Sequence, residues 1–467
     1  MLRFMFGAWL VCASLAVVAK PLDAALTKRI DADVQSILRR SGTPAATILV
    51  VRNGQIVYRQ AYGLRDKERH LPARTETHYE IGSITKQFTV AAILQLQEAG
   101  KLDIDAKLAT YLPTAPHASE ITLRQLLSHT SGLPEYLDGP KIEEEATHPT
   151  TFAQLMARID GKPLDFAPGS HWSYDNTGYI LLGRIIELVS HESYRHYVQT
   201  HLLDPAGMQQ TFTVADEASL PGMAVGYRHA EGRLERAPTI HDSWGWSAGN
   251  LVSTVDDLQK WNDALTGGRI VAPKSYAAMT TPVMIQQHSA EYGFGLFVDT
   301  VEEQPRIGHT GGSFGFTSAN EYFPKQDVRI IAFTNNGDNP EPGEMITTAV
   351  FNQLFPAIAA AAARPSPGED IAVTTTVRTL FDQLQGGNED ATRLTAKLNA
   401  KMKAGLAQRL AKEFAPYGAP TTFVFKGRRT DAGLHWYDYL IQFGPGAQLK
   451  FAAGLDDAGK IGGLSFG

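Results

Sequence analysis

The sequence predicts an α/β (α+β) domain with an antiparallel sheet flanked by helices, followed by a small C-terminal α+β domain. Three observations carry that expectation. A β-rich hairpin comes first at residues 46–62, helices fill the middle, and four strand-like runs lie between residues 292 and 334. A Pro/Gly-rich break follows, Arg364-Pro365-Ser366-Pro367-Gly368. Beyond it, helical and alternating patterns resume. The 467 residues exceed one ordinary domain, and 43% hydrophobic with 20% charged residues suits a protein with a real core. A net charge of −6 gives no reason to expect nucleic acid as a partner.

Taken in order, the chain opens on what reads as an export signal over residues 1–19: Arg3, an apolar run from Phe4 to Ala19, then Lys20-Pro21. The run is short for a bilayer span and offers Ala16 and Ala19 to a peptidase. An exported protein, periplasmic or secreted, with no integral span after cleavage is expected; an uncleaved anchor is the rival. Cys12, the only cysteine, lies inside this segment, so the mature chain would hold no disulfide, thiolate metal site or catalytic thiol. Trp9-Leu10-Val11 ahead of it lacks the small residue that lipoprotein processing prefers.

Leu26, Ile30, Val34, Ile37 and Leu38 predict an amphipathic helix over 26–41 that Gly42 ends. Residues 46–52 and 55–62, joined by Asn53-Gly54, predict a hairpin. Residues 121–129 read as a short helix begun at Thr122, followed by the loop Thr130-Ser131-Gly132-Leu133-Pro134. Pro168-Gly169 marks a turn ahead of a largely apolar helix at 178–190. Residues 255–265 form a helix capped by Ser253 or Thr254 and stopped by Gly267-Gly268. Strands are expected at 292–298, 306–309, 316–323 and 328–334. These elements make a first domain over 25–355, with a linker at 356–370 and the small domain at 371–467. The small domain should have helices at 377–384 and 391–414 and strands at 421–426, 434–443 and 448–455, with no catalytic cluster.

The chemistry points to Glu80-Ile81-Gly82-Ser83-Ile84-Thr85-Lys86. Here a serine meets a lysine at i+3, at the head of a helix that is apolar from Phe88 to Leu96. Free backbone N–H groups at a helix head favour developing negative charge. A nucleophilic serine needs such donors and a proton acceptor. Alone, S-x-x-K describes an N-cap serine with a surface lysine equally well. Two further motifs change the odds. Tyr174-Asp175-Asn176 precedes a buried helix, and His309-Thr310-Gly311-Gly312 ends a predicted strand.

In this order the three motifs resemble the penicillin-binding-protein and serine β-lactamase family, with its S-x-x-K, S/Y-x-N and K-T-G signature. The likeness is greatest to the branch similar to class C β-lactamases and related D-peptidases and esterases, which carries tyrosine in the second motif. The runs 126–134, 174–179 and 247–254 look like that branch too. The resemblance covers residues 25–355 and implies a β-lactamase/transpeptidase-like domain acting as a serine hydrolase. It implies Ser83 as the acylated nucleophile, with Lys86 and Tyr174 sharing the proton work. Asn176, His309, Thr310 and Gly311 become substrate contacts, and the N–H groups of Ser83 and Gly312 an oxyanion hole. No metal and no cofactor is implied. Lys86 and Tyr174 are both protonated at their reference pKa values, so one must be perturbed, and a buried cation would favour a Tyr174 phenolate as base. His309 stands where the best-known members carry lysine. A neutral imidazole grips a carboxylate less firmly, which moves ester or D-peptide chemistry ahead of β-lactam hydrolysis. Facing the cleft, His309 would titrate near neutral pH. The expected partner is a small-molecule or peptide substrate, cell-wall-derived peptides among them; oligomeric state is left open.

Other readings compete. Gly245-Trp246-Ser247-Ala248-Gly249 and Gly311-Gly312-Ser313-Phe314-Gly315 match G-x-S-x-G, whose serine sits between a strand and a helix in α/β-hydrolases. Ser247 follows no apolar strand and Ser313 precedes strand-like sequence. His191-Glu192 and His196 are spaced by five, which puts the histidines about 140° apart on a helix, poor for zinc. A penicillin-recognising receptor that acylates but turns over slowly is the third class.

Overall fold

The computed structural model describes residues 21–466 except 286, 287, 339 and 389; residues 1–19, read above as an export signal, and Cys12 among them lie outside the described residues. Helix Ala24–Ser41 begins where Asp23 accepts the Leu26 N–H and ends at Gly42, φ 65°. The Asn53-Gly54 turn, with φ of 50° and 70°, joins strands Ala45–Arg52 and Gln55–Asp66. They sit in a seven-stranded sheet ordered Phe297–Val301, Gln304–Ser313, Phe316–Phe323, Val328–Thr334, Ala45–Arg52, Gln55–Asp66, Leu71–Pro72, antiparallel throughout. The strand expected at 292–298 starts only at Phe297; Tyr292 makes an isolated bridge to Phe297.

Ala45–Arg52 is apolar almost throughout because both faces of the sheet are covered. Leu49 and Val51 join one core with helices Lys86–Glu98, Thr177–Ser190 and Val255–Thr266. Ile48 and Val50 join a second core with helices Ala24–Ser41 and Pro342–Leu354. The residues flanking the three sequence motifs, Ile81, Ile84, Tyr179 and Ile307, belong to the first core or pack against it.

The C-terminal domain is a four-stranded antiparallel sheet, Thr422–Asp431, Leu434–Gly444, Ala447–Leu455 and Ile461–Phe466, packed on helix Ile371–Gln385. The fourth strand was not expected, since Gly462-Gly463 dilutes its alternation. The helix expected at 391–414 is broken. Ala396–Lys401 and Ala407–Phe414 are separated by a π-type turn in which Gly405 has φ 102°. The domain's apolar residues, Phe381 and Phe451 among them, are continuous with the second core. Residues 356–370 begin as helix Pro356–Ala362, because proline suits the first helical position and a run of alanines favours the turns after it. Ser366 then bonds the carbonyls of Phe425 and Lys426 at 2.9 Å each. Packing, rather than a free tether, joins the two domains. Among the described residues no single helix is long and apolar enough to cross a membrane.

Candidate active site

Ser83 lies in a 3₁₀ turn, Gly82–Thr85, and the α-helix begins only at Lys86. A 3₁₀ turn eclipses residues i and i+3, so the two side chains stack along one edge. Lys86 Nζ donates to Ser83 Oγ at 3.0 Å. The turn is held against strand Gln304–Ser313. Gly82 has φ 48°, and a Cβ on it would lie 2.6 Å from the Gly312 carbonyl oxygen and 2.8 Å from its nitrogen. A Cβ on Gly311 would lie 2.0 Å from the Ile81 carbonyl oxygen. The backbones of Gly82, one residue before Ser83, and Gly312 are thus adjoining, as the oxyanion hole expected between the Ser83 and Gly312 N–H groups would require. Gly311→Ala should wedge them apart. We expect about a hundredfold loss in kcat/KM on an ester, with a fall in Tm. Unchanged kinetics would mean the strand tolerates displacement and the hole lies elsewhere.

Lys86 is fully buried and also donates to Asn176 Oδ1 at 2.7 Å and the Ala248 carbonyl at 2.9 Å. Burial pulls its pKa down to about 7, with Glu135 and Asp175 opposing the fall. A neutral amine carries two hydrogens and one lone pair. Asn176 and Ala248 can keep those two hydrogens, so when the ammonium loses the proton it donates to Ser83, its lone pair faces that hydroxyl. Ala248 arrives on helix Asp242–Gly249, unforeseen in the sequence and kinked at Trp246, φ 31°.

The second motif leads into helix Thr177–Ser190. Asp175 Oδ1 accepts the Gly178 N–H at 2.5 Å, and burial pushes its carboxyl up to about 7. Asn176 donates from its backbone N and its Nδ2 to Glu135 Oε2, at 2.7 and 3.0 Å. The ring of Tyr174 lies 4.8 Å from Lys86 Nζ. Its buried hydroxyl is turned toward Ser83 without closing a hydrogen bond of ordinary geometry. Burial holds Tyr174 well above its usual pKa, against the opposing effect of Ser83. The phenolate expected beside a buried cation is therefore not favoured; desolvation outweighs that attraction, and Lys86 is the group that sheds its proton.

The third motif brings a second correction. His309 is buried; its Nδ1 donates to the Thr310 carbonyl at 2.5 Å, and its Nε2 accepts from the Tyr292 hydroxyl at 3.0 Å. Burial, then the Lys86 charge, pulls its pKa down to about 3. It stays neutral across the physiological range, so the titration expected near pH 7 does not belong to it. The Thr310 hydroxyl bonds Glu341, and Arg306 on the same strand is taken up by Asp299, Glu321 and Glu344 at 2.6, 2.7 and 2.9 Å.

Ser247 is fully buried and donates to the Tyr179 carbonyl at 2.9 Å. Ser313 ends a strand that turns directly into Phe316–Phe323, so neither serine sits on a strand-to-helix elbow. His191 ends a helix with φ 64°, and Glu192 lies between His196 and His201. Among the described residues no cluster could hold a metal. Sequence reasoning passed over Glu135, Ala248, Tyr292 and Glu341. The first adjoins the family-like run 126–134 and the second lies within 247–254, the available signal; the other two carry none.

A family model described as Beta-lactamase matches residues 28–355. A penicillin-binding protein of Bacillus subtilis (strain 168) is 30% identical over 330 residues, 66% of this chain and 72% of that one. Among solved structures, a D-stereospecific amidohydrolase from Streptomyces sp. is 27% identical with a TM-score of 0.60, over 71% of this chain and 99% of that one. The octameric penicillin-binding protein homologue from Pyrococcus abyssi is 23% identical with a TM-score of 0.64, over 93% of this chain and 94% of that one. That last fold match extends into the C-terminal domain.

Proposed function

The chain belongs to the beta-lactamase family of serine hydrolases and penicillin-binding-protein relatives, and from that premise we propose that it cleaves an ester or amide of a D-configured substrate through an acyl-enzyme on Ser83. The observation that carries this reading is the buried Lys86 Nζ within hydrogen-bond distance of Ser83 Oγ, Asn176 Oδ1 and the Ala248 carbonyl, so that the neutral amine can give its two hydrogens to the last two and turn its lone pair to Ser83. Ser83 Oγ attacks the carbonyl carbon as its proton passes to Lys86 Nζ. The oxyanion settles between the N–H groups of Ser83 and Gly312. Tyr174, kept protonated by burial, gives its proton to the leaving group and recovers one from Lys86. Water then repeats the sequence on the acyl-Ser83 ester.

The third motif supports a substrate without a carboxylate at that end. His309 is neutral, Arg306 is saturated by three carboxylates, and the Thr310 hydroxyl is engaged by Glu341. Neutral or amine-bearing amides and esters fit this better than carboxylate-bearing β-lactams, and the likeness to a D-stereospecific amidohydrolase supports the D configuration. Export, with cell-wall-derived D-peptides as one source of substrate, is part of the proposal and rests on the pattern of residues 1–19.

The test is turnover of 4-nitrophenyl acetate, D- and L-phenylalaninamide and nitrocefin. We expect many turnovers on the ester, D over L on the amide, and slow reaction with nitrocefin. His309→Lys should shift the nitrocefin-to-ester ratio by about tenfold toward nitrocefin, since a charge-assisted bond to its carboxylate becomes available. An unchanged ratio would remove His309 from substrate selection. One-time acylation without turnover would favour the receptor reading, and no reaction at Ser83 would defeat the hydrolase one.

A further inference from the structure

Glu135 follows the loop 130–134, and its half-buried carboxylate is bonded by neutral donors. Oε1 accepts the Leu137 N–H at 3.0 Å; Oε2 accepts the Asn176 N–H at 2.7 Å and its Nδ2 at 3.0 Å. Withdrawing a carboxylate from water is costly, and an arrangement of neutral donors around one is unusual unless the charge has a use. The two ends of the Asn176 amide have opposite neighbours. Oδ1 faces the Lys86 amine at 2.7 Å and Nδ2 faces Glu135. Flipping the amide would set Nδ2 against the Lys86 ammonium, or onto the lone pair of the neutral amine, and acceptor against acceptor at Glu135.

We propose that Glu135 is the positioning residue that aims the Lys86 lone pair at Ser83, by fixing which end of the Asn176 amide meets the amine. The inference rests on the acyl-Ser83 reading above. With Oδ1 presented, one amine hydrogen is drawn to Asn176, the other to the Ala248 carbonyl, and only the lone pair remains toward Ser83. With Nδ2 presented, Asn176 would compete for the lone pair itself.

Glu135 also acts on the amine by charge. The titratable groups around Lys86 are Glu135, Asp175, Tyr174, Tyr179, His129 and His309. Both histidines are held neutral by burial and both tyrosines keep their protons, while Asp175 bonds the Gly178 N–H and, pushed up to about 7 by burial, is the other carboxyl that acts on the amine. Glu135, whose own carboxyl burial pushes above its ordinary value, is the larger of the two negative neighbours that favour the ammonium and keep the amine from losing its proton at still lower pH.

The test needs no knowledge of the natural substrate. The rate constant for labelling Ser83 in the full chain with a fluorophosphonate is measured against pH, for wild type, Glu135→Gln and Glu135→Leu. Ser83 Oγ displaces fluoride from phosphorus and its proton goes to Lys86; Asp175→Asn, which carries no charge there, is run alongside so that the limb that remains reports the amine. Glutamine can still accept from Asn176 but carries no charge: its acid limb should move down by about one pH unit, with a plateau within about tenfold of wild type. Leucine removes acceptor and charge, frees the amide to flip, and should lower the plateau about a hundredfold. Folding is checked by thermal denaturation, and if the leucine variant does not fold, the position of the glutamine limb decides alone. Wild-type limbs and plateaus in the folded variants would overturn the role of Glu135 and leave the hydrolase reading intact. Failure of wild type to label at Ser83 would instead overturn that reading and this one with it.

Discussion

Ser83→Ala should lower ester and amide turnover by four orders of magnitude or so and abolish fluorophosphonate labelling, in a chain that remains folded. The hydroxyl contributes one hydrogen bond to structure, from Lys86 Nζ, and that amine keeps two other acceptors. The stability change should therefore be small, about 1 kcal/mol in either direction. The two G-x-S-x-G serines make the contrast. Ser247→Ala loses a buried hydrogen bond to the Tyr179 carbonyl and should cost about 1 kcal/mol while labelling persists. Ser313 Oγ has no hydrogen-bond partner among the described residues, so Ser313→Ala should leave both stability and labelling near wild type. A label that survives Ser83→Ala and maps to either of these serines would return the nucleophile to the α/β-hydrolase reading.

Local signals in the sequence announce local structure. Asn53-Gly54 makes its hairpin, Thr122 caps its helix through a capping box with Gln125, and the runs 316–323 and 328–334 become strands with those bounds. Each outcome is decided within a few residues of chain. The motifs likewise name residues that the fold does gather: Ser83, Lys86 and Asn176 form one hydrogen-bonded chain, with Tyr174 and His309 around it. What sequence did not disclose depends on residues brought together by the fold. Ser83 occupies a 3₁₀ turn because Gly82 is pressed on Gly312, 230 positions away in a separate strand. The protonation states depend on the same distant packing. Lys86 and His309 both lose their protons more easily because helix, loop and strand close over them, and Tyr174 holds its proton for that reason. A motif specifies which groups meet; the degree of burial, which decides which one is the base, does not appear in it.

Lys86→Met exploits that burial and is the second large effect expected. Methionine fills a similar volume without a charge or lone pair, so loss of the base should lower kcat/KM by about a thousandfold. The pH profile separates this from simple damage. In wild type the amine must be neutral to take the Ser83 proton, and its pKa lies at about 7. kcat/KM should rise with pH through that value and then level off. Asp175, pushed to about 7 by its own burial, titrates in the same window, so wild type alone cannot assign the limb. Lys86→Met retains Asp175 and removes the amine; His309→Gln retains the amine and removes an imidazole that is neutral throughout. If Lys86 is the base, the residual activity of Lys86→Met should lack the limb near 7 and His309→Gln should keep it, at whatever plateau remains. Stability supplies an independent sign. Lys86 is depressed from 10.5 to about 7 on folding, so between those values the unfolded chain binds the extra proton. The lysine's contribution to stability therefore increases as pH rises from about 7 toward 10.5, and is lost as pH falls through 7. Across that interval the Tm difference between wild type and Lys86→Met should shift in favour of wild type with increasing pH. A difference that stays flat, with the limb intact in Lys86→Met, would show that the lysine is charged at neutral pH and that Tyr174 is the base after all.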